Sequence, residues 1–140
     1  MTKPEPDRIR WGAAPSLDDI AAMARLALDG LDEPFRTHAR AVAIKVEDFA
    51  DDETLRSMAI ESPYDLTGLY SGVALTLETP SAPSQMPPMV WLYRLPILDE
   101  WAASEGLALE DLVAHVVIHE LGHHFGWSDE EIDSINDRDD

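Results

Sequence analysis

Apolar positions along the chain change rhythm several times, and each rhythm predicts an element. The first 15 residues are charged and proline-dotted and are expected to be poorly ordered. Leu17, Ile20, Ala24, Ala27 and Leu31 then recur at helical spacing. Ser16 stands before them as an N-cap, Asp19 follows as in a capping box, and Gly30 closes the run, which predicts a helix over 17–29. Val42, Ile44 and Val46 alternate with Ala43, Lys45 and Glu47, the period of a strand with one buried face. "DDETLRSMAIE" predicts a short helix capped by Asp51 or Asp52. In "DLTGLYSGVALTLE" two glycines precede a β-rich run, which predicts a turn and then a second strand near 73–78. "TPSAPSQMPP" carries four prolines in ten residues and must be a loop. "MVWLYRL" predicts a third strand with Met89 and Trp91 as core residues, and "PILDEWAASEG" a helical turn. The last strong element runs from near Leu109 to about Phe125; Gly126 ends it, and Ser128 caps a final short helix.

The expected order is α-β-α-β-β-α-α, without repeats, which places the chain in the α+β class. The proline-rich stretch is too short to link two domains, so residues 1–140 are expected to form one domain, and a monomer is favoured. There is no cysteine, which removes disulfides, thiolate metal sites and a cysteine nucleophile. The net charge of −18 argues against nucleic acid as a partner. Residues 95–140 alone hold 13 acids against one base, Arg138. That excess solubilises the surface and sets up a field that attracts cations. No apolar run marks a secretory signal or a membrane span, so a soluble cytoplasmic protein is expected.

Four of the five histidines fall between His115 and His124. On a helix, His115, His119 and His123 form one stripe at steps of four residues. The outer two lie about 12 Å apart along the axis, too far to share one ion, so a metal takes a neighbouring pair. His119 and His123 belong to "HELGH", an H-E-x-x-H motif, whereas Val116 stands where the other pair would need an acid. Glu120 emerges about 100° round the helix from His119, outside the direct ligands but within reach of a water on the metal. A turn at Gly126 can bring Asp129 back beside the two imidazoles, and two histidines with a carboxylate make an open zinc site. In a random chain of this composition the extended string H-E-x-x-H-x-x-G-x-x-D is expected only ~0.00015 times. His115 and His124 are expected to be surface or packing histidines, and His38 is assigned no role. Gly122 is expected to serve close packing. Tyr64, Tyr70 and Tyr93 are expected to be packing residues, with oxyanion stabilisation as their functional alternative.

With its flanks, "VVIHELGHHFGWSDEEI" resembles the zincin metallopeptidases, and most closely the small bacterial minimal zincins, also called the possible zinc metallopeptidase family. The "GLYSG" turn and the helix–strand start are similar too. The resemblance implies His119 and His123 as zinc ligands, Glu120 as general base and Asp129 at the third-ligand position, which Glu130 or Asp133 can take instead. It also implies a small mixed sheet packed against the motif helix. An extended peptide substrate would then bind by adding a strand at the sheet edge.

Two functional readings follow from these residues. One is a zinc peptidase in which Glu120 deprotonates a metal-activated water. The other is a non-catalytic metal-binding or peptide-binding module on the same fold.

Overall fold

The computed structural model describes residues 13–72, 87–127 and 130. Helix α1 spans Leu17–Asp29 and opens with the expected capping box. The Ser16 backbone N–H donates to Asp19 Oδ2 at 2.8 Å, and the Asp19 N–H donates to Ser16 Oγ at 3.1 Å. Its buried residues are Ile20, Met23, Ala24 and Leu28, while Leu17, expected on the core stripe, is 37% exposed. Helix α2 (Phe35–Ala39) is one turn that the sequence reading missed. Strand β1 covers Ala43–Glu47. Helix α3 (Asp52–Ser57) takes Asp51 as its N-cap, and the Thr54 N–H donates to Asp51 Oδ1 at 2.7 Å.

The second strand departs from expectation. Strand β2 is Gly68–Ser71, the segment read as a turn, whereas the expected strand near 73–78 lies outside the described residues. Strand β3 is Met89–Tyr93. It runs directly into helix α4 (Arg94–Ala103), a full helix in place of the expected turn. Helix α5 spans Leu109–Phe125, as its periodicity predicts.

The architecture is mixed α+β: among the described residues there are five α-helices and a three-stranded mixed sheet in the order β1-β3-β2. β1 runs parallel to β3, and β2 runs antiparallel to it. The register pairs Ile44 with Val90, Val46 with Leu92, Gly68 with Leu92 and Tyr70 with Val90. Because side chains alternate across a strand, those residues share one face. That face packs on α1 and α5, where Val90 and Leu92 meet Ile20, Ala24, Val113, Val117 and Leu121 in the main core. The opposite face carries Lys45, Glu47, Leu69, Ser71, Trp91 and Tyr93. Tyr93 there joins a smaller cluster with Ala50, Leu55 and Leu66. Trp91, expected in the core, is half-buried on this second face and packs against that smaller cluster.

Candidate metal centre

Helix α5 is the most buried element of the site, and this fixes its histidines. Val113, Val116, Val117 and Leu121 anchor it in the core, and Gly122 is buried among them. The residues between these anchors project elsewhere. His119, Glu120 and His123 come together, each offering a donor atom, with all three atoms within 4.8 Å of one another. The rings of His119 and His123 lie edge to face with centroids 5.6 Å apart. Glu120 Oε1 sits 3.9 Å from His123 Nε2; the Glu120 side chain is 15% accessible and that of His123 44%.

This donor set fits a zinc ion. Ligands on one ion with bonds near 2.0–2.1 Å lie no more than about 4.2 Å apart, so the observed spacing is a small side-chain rotation away. Imidazole and carboxylate donors without a thiolate match zinc chemistry. The Glu120 carboxylate is closer to both histidines than its position round the helix suggested.

The helix end is a Schellman turn. Gly126 adopts φ 76° and ψ 22°, its N–H donates to His123 O, and the Trp127 N–H reaches Gly122 O at 2.9 Å. The turn folds Trp127 against Phe125 and Phe35, with centroids 4.7 and 5.0 Å away. Gly126 therefore ends the helix in a left-handed turn, as its position in the sequence predicts. Asp129, Asp133 and the Ser128-capped helix lie outside the described residues, and Glu130 is exposed.

Strand β2 forms the other wall. A cavity of about 470 Å³ lies between it and α5, lined by Gly68, Leu69, Tyr70 and Gly72 on one side and Glu120 and His123 on the other. Met58 and Leu66 complete the lining. Three residues of "GLYSG" explain how β2 comes so near. A Cβ on Gly68 would stand 2.9 Å from Val116 Cγ1, 3.1 Å from Glu120 Cγ and 3.2 Å from Trp91 O, so only glycine permits this approach. Tyr70 then reaches across to the buried His124, its hydroxyl 2.8 Å from Nδ1. Gly72, with φ 143°, leaves room for that hydroxyl, which lies 2.8 Å from where its Cβ would be.

The sequence reading missed Gly68, Tyr70 and Gly72 as site residues, although the spacing G-x-Y-x-G in a β-rich segment was the available signal. His124 is a packing histidine, as expected; its partner is the tyrosine of the site wall. His115 is exposed and outside the donor group, and His38 rests edge-on against Phe125 at 6.2 Å. Tyr64 is 48% exposed. Burial pushes the Tyr93 hydroxyl up to about 12, with the Asp51, Glu120 and Glu47 carboxylates adding to the shift.

An H-E-x-x-H helix packed on a small mixed sheet, with its two histidines and glutamate gathered beside a cavity that Glu120 and His123 line, defines a zincin. The zincin-like metallopeptidase family matches residues 39–138, which include the sheet and the motif helix, and the chain belongs to that family. A search of curated proteins found no match. Among the described residues no helix is long and apolar enough to cross a membrane.

Proposed function

We propose that the protein is a zinc-dependent peptidase. The observation that carries this reading is the gathering of the His119, Glu120 and His123 donors within 4.8 Å, with Glu120 and His123 lining a cavity bounded by a strand. His119 and His123 would hold the ion, with Asp129 as third ligand and Glu130 or Asp133 as its alternatives. A zinc ion bound there supplies a Lewis acid that polarises a peptide carbonyl and acidifies water. Glu120 accepts the proton of the attacking water on a carboxylate oxygen and delivers it to the leaving amide nitrogen. Its 15% accessibility suits the task, since little bulk water competes for that proton. The carbonyls at the C-terminal end of α5 add negative partial charge where the cation would sit.

Strand β2 supports the substrate side of this reading. An extended peptide added beside it would gain main-chain hydrogen bonds and present a carbonyl to Glu120 and His123. The test is cleavage of a mixed peptide library by zinc-loaded protein, read by mass spectrometry. Cuts that a chelator abolishes and zinc restores are the expected outcome. No cuts under any metal condition would leave a peptide-binding or metal-binding module in place of an enzyme.

A further inference from the structure

The sheet face turned away from α5 carries a second cavity, of about 430 Å³. Three aromatic side chains line it, Phe49, Trp91 and Tyr93, together with two carboxylates, Glu47 and Asp51. Among the described residues, no lysine or arginine lines it. Aromatic faces attract cations through their quadrupole, and carboxylates do so through charge, so this combination selects a cation over a neutral or acidic group. Burial is the main cause of the raised Tyr93 pKa, and the Asp51, Glu120 and Glu47 carboxylates add to it.

The chain already demonstrates the chemistry at the rim. Lys45, the cross-strand neighbour of Trp91, sets its Nζ 5.2 Å from the Trp91 ring centroid and 3.6 Å from Glu47 Oε1. Its side chain is 56% accessible, so it rests on the mouth of the cavity and does not fill it. Asp51 uses Oδ1 to cap α3, and a carboxylate that accepts one such bond retains acceptor capacity. Residues 73–86, which follow β2, contain no lysine or arginine.

Position relative to the metal centre gives this cavity a use. Leu69 of β2 borders both cavities. Gly68 and Tyr70 face α5, whereas Leu69 and Ser71 face the aromatic side. A peptide extended beside β2 alternates its side chains in the same way. We propose that the aromatic–carboxylate cavity receives an arginine side chain of a peptide lying along β2, next in sequence to residues that face Glu120 and His123. Arginine suits it better than lysine, because a planar guanidinium stacks on an indole or phenol ring while donating to a carboxylate. This inference rests on the strand-addition part of the proposed function and not on catalysis.

The test measures binding and cleavage separately on the full chain. Fluorescence anisotropy compares a labelled peptide containing one arginine with the same peptide carrying citrulline, its neutral isostere. The wild type should prefer arginine about ten-fold, and the preference should weaken with salt. The double variant Glu47→Gln, Asp51→Asn keeps side-chain shape and a helix-capping residue, and it should bring the ratio close to one. Asp99→Asn with Glu100→Gln removes as much charge from the exposed face of α4 and should leave the ratio unchanged. Lys45→Met removes the chain's own competitor and should raise arginine affinity, a direction that a damaged fold would not produce. An equal preference in wild type and Glu47→Gln, Asp51→Asn would overturn the proposal, as would its loss in the α4 control. Library cleavage without a preference for arginine would overturn it while leaving the peptidase reading intact. Arginine-selective binding that needs Glu47 and Asp51, with no cleavage, would uphold it while the peptidase reading fell.

Discussion

Replacing Gly68 by alanine adds one methyl group at the narrowest point between β2 and α5. Gly68 has no positive φ, so the backbone accepts alanine and the whole effect is steric. The new Cβ meets Val116 Cγ1 at 2.9 Å, Glu120 Cγ at 3.1 Å and Trp91 O at 3.2 Å. Trp91 O is backbone of the central strand and cannot retreat. Val116 is 5% exposed and β-branched, with little rotamer freedom in a helix. The group able to give is Glu120, and its movement displaces the carboxylate from the two histidines. Overpacking of this kind costs about 1–3 kcal/mol. For a chain of this size each kcal/mol is worth about 3–5 °C, so the melting temperature should fall by roughly 3–15 °C. Zinc affinity or turnover should fall with it. The control is Gly106→Ala, where φ is 72° and the added Cβ meets nothing within 4 Å. That change carries only backbone strain of about 1–2 kcal/mol and leaves the metal centre alone. Thermal unfolding by circular dichroism and zinc titration by calorimetry distinguish the two. A Gly68→Ala protein with wild-type melting temperature and wild-type zinc affinity would refute the close approach of β2 to the motif helix.

Other outcomes follow from the same contacts. Tyr70→Phe removes the hydroxyl bonded to His124 and should cost about 0.5–1.5 kcal/mol, read as a lower melting temperature. Hydrogen bonds from Thr54 hold the Asp51 carboxyl below its ordinary value of 3.8. A depressed carboxylate pKa stabilises the fold above the unfolded value and ceases to do so as pH falls through the folded one. The melting-temperature gap between wild type and Asp51→Ala should therefore be full at neutral pH and close in strong acid. Tyr93 has the opposite sign: with its hydroxyl raised to about 12, its contribution is complete below about pH 10, the ordinary tyrosine value, and is lost as pH rises towards 12. Ultraviolet titration should show one phenol ionising near pH 12 that is missing from Tyr93→Phe.

Helices α1, α3 and α5 were the most legible part of the sequence because their boundary signals are local, whereas α2 and the length of α4 were not legible. Ser16 with Asp19, Asp51 with Thr54, and Gly126 after Phe125 each fix a boundary through bonds within a few residues. The candidate metal cluster was legible for the same reason, since His119, Glu120 and His123 lie on neighbouring positions of one helix. Strand β2 was not. Gly68 and Gly72 look like turn residues when read in isolation, and their reason lies in Val116, Glu120 and the Tyr70 hydroxyl, contacts made across the fold. His124 likewise gave no sign in sequence that Tyr70, 54 residues earlier, would be its partner. The aromatic cavity drew Phe49, Trp91 and Tyr93 from two separate segments, which only the β1-β3 pairing brings together.

On the proposed function, one helix turn holds a zinc ion and Glu120 works beside it. The most direct test of this reading is to measure zinc content and peptide cleavage on the same samples of wild type and Glu120→Gln. The expected result is one zinc per chain in both proteins, with cleavage by the wild type alone. Equal cleavage by a zinc-loaded Glu120→Gln protein would contradict the account, as would a wild type that takes up no zinc.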